Sequence, residues 1–166
     1  QAQRPLGISC AMAMTNNPLT TDPGDNPWLL TWKGDPQLSM GGAEDMVRKL
    51  QWLAEWDYTI VTVNGAGFDF AVLAEESGMV AECADLMLNH HCDMMMMSVC
   101  KLGWRVGLES LAHGAGVQGK LHNVSLKDGR IIDNMNGAMA PQLWAEGEHE
   151  AVLSYLKDDV RATLET

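Results

Sequence analysis

Hydrophobic and polar positions follow the period of strands at the start of the chain and change to a helical period later. Residues 8 to 14 alternate apolar with small side chains, and a turn-rich stretch separates them from the apolar run WLLTW. These two segments predict a β-hairpin. Ser39 then precedes an apolar stripe from Met46 to Ala54, which predicts a capped helix that ends near Asp57. The β-branched run from Thr59 to Val63 predicts a buried strand.

Helical periodicity dominates the remainder of the sequence. It predicts helices over about 68–77, 79–89, 94–102, 107–114, 138–145 and 148–164. A small hairpin is predicted to turn at Asp128-Gly129. Strands, then a helix and a strand, then mostly helices indicate a layered α/β fold. The length suits a single domain over residues 1–166, without internal repeats or obvious linkers.

Charge limits the partners that the surface as a whole can bind. The net charge of −11 argues against general electrostatic binding of nucleic acid or membranes. No apolar run approaches the ~20 residues of a membrane span, so no membrane partner is expected. Residues 101–130 are locally basic, through Lys101, Arg105, Lys120, Lys127 and Arg130. This segment either contacts an anionic strand or is a solvated surface, and both interpretations stay open.

The sulfur-containing residues predict a reduced, cytoplasmic protein. The four cysteines have neither a disulfide nor a CxxC spacing. The stretch HHCDMMMMSVC contains His90, His91, Cys92 and Cys100, but they are crowded and then separated by methionines, which does not suit zinc. We interpret the stretch as buried free thiols and core methionines, with Asp93 as a helix cap.

Two short motifs contain side chains suited to catalysis. The segment NGAGFDF places Asp69 after a strand and a glycine-rich loop. In the last predicted helix, Tyr155 and Asp159 lie one turn apart on the flank of the stripe formed by Val152, Leu156, Val160 and Leu164. Taken singly, the helix motif fits an ordinary amphipathic helix.

Together the two motifs resemble the second and third motifs of the DEDD (DnaQ-like) 3′–5′ exonucleases. Asn64, Phe68 and Asp69 match the second motif, and Tyr155 and Asp159 match the third motif of the tyrosine subclass. Nearly the whole chain resembles predicted bacterial and phage exonucleases related to the proofreading domain of family B DNA polymerases. The resemblance implies a ribonuclease H-like α/β fold, with a central mixed sheet flanked by helices.

The resemblance also implies a mechanism and a substrate. Asp69 and Asp159 would bind two Mg²⁺ or Mn²⁺ ions, and Tyr155 would orient the attacking water. The substrate would be the 3′ end of single-stranded DNA or RNA, with DNA expected, in repair or proofreading. The residues expected to contact the substrate are Asn64, Gly65, Gly67, Phe68 and Lys120.

The first motif of the family, Asp-x-Glu, is absent from this sequence. It is expected a few residues before LGISC, yet residues 1–6 contain no acidic side chain. Either the first strand is missing from this chain, or the protein has lost the motif and is a non-catalytic nucleic-acid-binding or structural module. A third hypothesis is nucleotide binding by residues 114–120, whose glycines spell GxGxxG. These glycines follow a predicted helix rather than a strand, and Leu121 stands where a P-loop needs Ser or Thr.

Overall fold

The computed structural model describes residues 6–15, 27–119 and 123–166, and it has a mixed α/β architecture. The strands within these ranges are β1 (Cys10–Thr15), β2 (Trp28–Lys33), β3 (Ile60–Thr62), β4 (His91–Asp93), β5 (Val124–Ser125) and β6 (Ile131–Ile132). The helices are α1 (Met40–Glu55), α2 (Asp69–Ser77), α3 (Val80–Asn89), α4 (Met94–Leu102), α5 (Leu108–Ala115), α6 (Ala140–Ala145) and α7 (His149–Glu165). None of these helices combines the length and the apolar character that crossing a bilayer requires.

The predicted hairpin and first helix are confirmed. β1 pairs antiparallel with β2, and Cys10 lies opposite Lys33. α1 begins directly after Ser39, whose Oγ accepts a hydrogen bond of 3.2 Å from the backbone N–H of Gly42. Both predictions depended on signals between neighbouring residues, namely strand alternation and a capping hydroxyl.

The described strands form three separate two-stranded sheets instead of the one central mixed sheet that was expected. β3 pairs in parallel with β4, so that Ile60 lies opposite His91, and β4 was not predicted. β3 was predicted to be buried, but Val61 is 42% exposed. The difference arises because, among the described residues, β3 has a strand neighbour on one side only.

Within the described ranges, two hydrophobic clusters form the core. The first joins α1, α2 and α3 through Ala43, Val47, Leu50, Ala54, Phe70, Leu73, Cys83 and Leu86. The second surrounds α7 and consists of Val124, Met135, Leu143, Trp144, Ala151, Val152, Leu153 and Tyr155. Ile8 packs on the first cluster, whereas Cys10 and Met12 pack on the second. The chain around β1 therefore connects the two clusters.

The buried face of α7 is rotated from the predicted one. Val152 is buried as expected, but Leu164 is 40% exposed and Tyr155 is only 7% exposed. Each step of four residues advances about 400° around a helix, which is about 40° more than a full turn. The three steps from Val152 to Leu164 therefore rotate the predicted stripe by about 120°. Tyr155 lies about 60° from Val152 in the other direction, and Asp159 about 20°. Tyr155 is therefore part of the core rather than on its flank, and Asp159 lies partly buried on the same face.

Candidate nucleic-acid and metal site

A tight loop connects β3 to α2 and holds most of the residues of the predicted second motif. The backbone N–H of Gly65 donates to Thr62 Oγ1 at 3.0 Å, and the N–H of Gly67 donates to the carbonyl oxygen of Asn64 at 3.1 Å. Asn64 has a φ of +73°, a left-handed conformation that asparagine tolerates better than most residues. A Cβ at position 65 would collide with the side chain of Thr62. The loop thus requires glycine at its buried position.

Asp93, at the end of β4, anchors this loop through hydrogen bonds to its backbone. Its Oδ1 accepts hydrogen bonds from the backbone N–H groups of Asn64 (3.0 Å), Met95 (2.9 Å) and Met96 (3.2 Å). Its Oδ2 accepts one from the N–H of Ala66 at 3.0 Å. The predicted cap of α4 is confirmed, whereas the two bonds to the loop were not predicted. One carboxylate therefore ties the loop to the start of α4.

The electrostatics of Asp93 indicate a structural role. The side chain is 6% exposed. This desolvation by itself would raise the pKa of Asp93, but the hydrogen bonds from Asn64, Ala66, Met96 and Met95 outweigh it and hold the pKa below its usual range. Because both oxygens already face backbone donors, Asp93 is poorly placed to bind a cation.

Asp69 differs from Asp93 in its exposure to solvent and in the direction of its pKa shift. It is the first residue of α2 and an exposed residue, and Phe68 before it makes no side-chain cap. Neighbouring protein atoms remove part of its hydration, which raises the pKa of Asp69; a backbone hydrogen bond lowers it, and the negative charge of Asp93 raises it further. A solvent-accessible carboxylate with a raised pKa, next to a second acid, has the properties of a functional group.

Two further side chains support the loop and were missed by sequence reasoning. Thr62 Oγ1 and His91 Nε2 are 2.7 Å apart, and the ring of His91 meets Phe70 edge-on with 4.8 Å between ring centroids. Burial lowers the pKa of His91, although the charge of Asp93 opposes that shift. No local pattern signals these contacts, because they arise from the pairing of β3 with β4.

The residues of the third motif lie on α7. The ring of Tyr155 packs in the second hydrophobic cluster, and Asp159 is partly buried. α2 packs mainly against α1 and α3, whereas α7 packs mainly against β1, α5 and α6. α7 also contacts β3, the strand that leads into the loop before Asp69. β3 therefore contacts α7 and also leads into the loop that precedes Asp69.

The described residues do not fit a site for two metal ions. Within residues 6–15, 27–119 and 123–166, no three His, Cys, Asp or Glu side chains are grouped so that they could hold an ion. Mg²⁺ demands near-octahedral oxygen coordination, and a pair of ions needs several shared carboxylates. Asp69 and Asp159 are too few for this, and Asp93 is engaged by backbone donors.

The predicted basic segment is less positive than its sequence suggests. The Lys127 ammonium group bonds to the carbonyl oxygen of Gly147, and Arg130 forms an ion pair of 2.6 Å with Asp128. Lys101 and Arg105 are exposed. Lys120, a predicted substrate contact, lies outside the described residues. In the described part of the segment, the charge most accessible to a phosphate is therefore that of Lys101 and Arg105.

The interpretation of the sulfur-rich stretch as core is wrong for its outer members. Met96 and Met97 are 57% and 47% exposed, and Cys100 is exposed as well. Cys92 in the same stretch is partly buried, and Cys83, which lies before the stretch, is buried. The predicted helix over 94–102 is confirmed, but it turns these sulfur side chains towards solvent.

No family model, curated protein or solved structure matches this chain. The likeness to exonucleases consequently depends on the motifs of the sequence. The structure adds the local geometry: it places Asn64, Gly65, Gly67, Phe68 and Asp69 together on one loop and helix start. Tyr155 and Asp159 lie together on another helix.

Proposed function

We propose that this chain is the ribonuclease H-like domain of a metal-dependent 3′–5′ exonuclease that acts on single-stranded nucleic acid, with DNA as the expected substrate. The observation that carries the proposal is Asp69. A tight loop at the carboxyl end of a parallel strand presents this accessible carboxylate, and its pKa is raised. Ligand sites of α/β folds lie at the carboxyl ends of parallel strands, and perturbed acids concentrate at functional sites.

The loop also has the surface that a terminal nucleotide requires. The ring of Phe68 is 50% exposed, and stacking of a base on an aromatic ring contributes about 1–3 kcal/mol. Gly67 is exposed, and a Cβ there would come within 2.8 Å of Asn64 Oδ1. A glycine at this position keeps the amide of Asn64 accessible. In this proposal Phe68 and Gly67 position the last base, and Asp69 lies beside the scissile phosphate.

α7 supplies the second half of the proposed site. Burial of the Tyr155 ring fixes the position of its hydroxyl group, which is what the orientation of an attacking water requires. Asp159 follows one turn later on the same face, and α7 contacts β3 close to the loop. Asp69 and Asp159 would hold such ions only together with ligands beyond those grouped among the described residues, and the ions would then supply charge stabilisation at the phosphate.

A second candidate function is a non-catalytic module that binds nucleic acid without cleaving it. It is favoured by the lack of any grouping of three ligand side chains among the described residues. The binding surface on the loop would be the same in both cases. The two candidates therefore differ in metal-dependent hydrolysis and not in affinity for a single strand.

The test is hydrolysis of a single-stranded oligonucleotide labelled at its 5′ end, with and without Mn²⁺. It uses the chain together with any residues that its gene encodes before Gln1. We expect stepwise shortening from the 3′ end, and we expect D69N and D159N to abolish it. Y155F should lower the turnover but leave Mn²⁺ binding intact, because the hydroxyl orients water and is not a ligand. D85N, on the exposed side of α3, is the matched control and should remain active.

The outcomes separate the two candidates. Binding without shortening, weakened by the substitution F68A, would establish the non-catalytic module. Shortening that persists in D69N would refute the assigned site. Mn²⁺ should also raise the melting temperature of the active chain, since a ligand that binds only the folded state stabilises it. D159N should remove that increase.

A further inference from the structure

Four sulfur-containing side chains surround a groove between β4 and α4. The groove has a volume of about 330 Å³ and is lined by Cys92, Met96, Met97 and Cys100 together with His91, Asp93 and Lys101. We name it the sulfur groove. Met96 and Cys100 are four residues apart on α4 and Met97 and Cys100 three apart, so all three share one face of the helix. Cys92 precedes that helix on β4.

Two of these sulfur atoms are close enough to share one metal ion. Cys92 Sγ lies 3.2 Å from Met97 Sδ, with the thiol donating to the thioether. A thiolate binds a metal at about 2.3 Å. An ion at that distance from both sulfurs would have an S–metal–S angle of roughly 90°. Met97 is 47% exposed, and its unbranched side chain can rotate to widen the angle. Loss of the thiol proton therefore leaves a preformed pair of soft donors.

We propose that the sulfur groove binds one soft monovalent metal ion of the Cu(I) class. The Cys92 thiolate and the Met97 thioether are the two defining ligands, and Cys100 and Met96 lie within the same groove. Thiolate and thioether donors select Cu(I) over harder ions. On binding, the Cys92 thiol releases its proton and the sulfur bonds to the metal, without any change of oxidation state.

The same ligand set excludes the commoner metals. Zinc sites use four Cys, His or carboxylate ligands. Within the described residues no three such side chains are suitably grouped, and thioethers are not among zinc's usual ligands. Mg²⁺ requires oxygen ligands, and the carboxylate of Asp93 in this region is engaged by four backbone N–H groups. The inference does not depend on nuclease activity.

The test follows the methionine methyl groups, using Ag(I) as a soft ion of the same class that is not oxidised in air. The reduced chain, with its twelve methionines labelled with ¹³C at the methyl group, is titrated with Ag(I). We expect the Met97 signal, assigned with M97L, to shift and to saturate at one equivalent. The signal of Met40, which is 61% exposed on α1, should stay in place.

Variants then identify the ligands. C92S should abolish the Met97 shift. M97L should weaken Ag(I) binding at least about tenfold, because even changes around a metal's ligands typically cost that much. M40L is the matched control and should bind normally. M97L changes an exposed side chain to one of similar size and should fold normally, so it tests the Met97 ligand even if C92S does not fold.

Three results would overturn the inference. One is Ag(I) binding to thiols without a shift at Met97. Another is an equal shift at Met40, which would mean that methionines bind the ion indiscriminately. The third is a Met97 shift that persists unchanged in C92S.

Discussion

Replacement of Asp93 by alanine is the most informative perturbation of this fold. The carboxylate accepts four backbone hydrogen bonds and is 6% exposed. Loss of a helix cap costs about 1 kcal/mol, and loss of hydrogen bonds to a charged group about 1.5–3 kcal/mol each. Because Asn64 and Ala66 are only partly buried, water replaces some of the hydrogen bonds that their N–H groups lose when the carboxylate is removed. We therefore expect D93A to lower the free energy of unfolding by about 3–5 kcal/mol.

Thermal and urea unfolding measure this loss directly. For a chain of this length, 3–5 kcal/mol corresponds to a decrease in melting temperature of about 6–20 °C. D93N keeps one oxygen acceptor but turns an amide towards the N–H of Ala66, so it should be intermediate between the wild-type chain and D93A. Asp85 is an exposed aspartate on α3, and D85A should change stability by no more than about 0.5 kcal/mol.

The pH dependence provides a second measurement of the same carboxylate. The folded pKa of Asp93 is below its usual value of 3.8. The stabilisation by its ionised form is therefore present above pH 3.8 and is lost as the pH falls through the folded pKa. The difference in unfolding free energy between the wild-type chain and D93A should become smaller in that acid range. If D93A loses no more unfolding free energy at neutral pH than D85A does, the assignment of Asp93 as the residue that holds the loop is refuted.

Three further predictions concern the loop and the charges around it. G65A should destabilise the chain because its methyl group would collide with the side chain of Thr62. G41A, on α1, should stabilise it by up to about 1 kcal/mol, because a Cβ there would meet only Ser39 Oγ, at an ordinary contact distance of 3.9 Å. D69N should raise the melting temperature at neutral pH, because the folded state disfavours ionisation of Asp69; the gain should vanish as the pH falls below 3.8. Neutralising Lys101 and Arg105 should weaken oligonucleotide binding and flatten its salt dependence by about 0.7 per lost contact.

Each of these three predictions has a result that would contradict it. Equal melting temperatures for G65A and G41A would mean that the loop adapts to a side chain. If D69N still has a higher melting temperature than the wild-type chain at low pH, the increase does not come from removal of the carboxylate charge. Neutralisation of Arg48 and Lys49 on α1 is the control for the basic segment; an equal effect on the salt slope would mean that Lys101 and Arg105 are ordinary solvated residues.

Local patterns were sufficient to predict the elements that depend on neighbouring residues. The β1–β2 hairpin, the Ser39 cap and the cap of α4 by Asp93 each follow from residues close together in the sequence. β4 could not be predicted in this way. It has three residues, His91–Asp93, and it is a strand because it pairs with β3 about 30 positions earlier. The two bonds from Asp93 to the loop were missed for the same reason.

The rotation of α7 shows a different limit of sequence reasoning. Residues repeated at every fourth position stay on one face of a helix for about two turns. Over the three turns from Val152 to Leu164 they rotate off the buried face, which is why Leu164 is exposed. The exposed Met96 and Met97 show that hydrophobic character alone does not place a side chain inside. For the candidate site, the sequence predicted which residues stand on the loop and on α7. The distance between the loop and α7 is set by tertiary packing, which local patterns do not encode.

Two acids border the loop between β3 and α2, Asp93 at the end of β4 and Asp69 at the start of α2, and their environments push their pKa values apart. Asp93 is surrounded by donors that satisfy both oxygens, and its pKa is lowered. Asp69 lacks such a set of donors, is partly desolvated and feels the charge of Asp93, so its pKa is raised. One acid thereby stabilises the loop, and the other is presented in a state that favours partners able to neutralise it, such as a cation or a proton. The raised pKa of Asp69, at an exposed position that feels the charge of a second acid, is the physical reason to look for function at this residue.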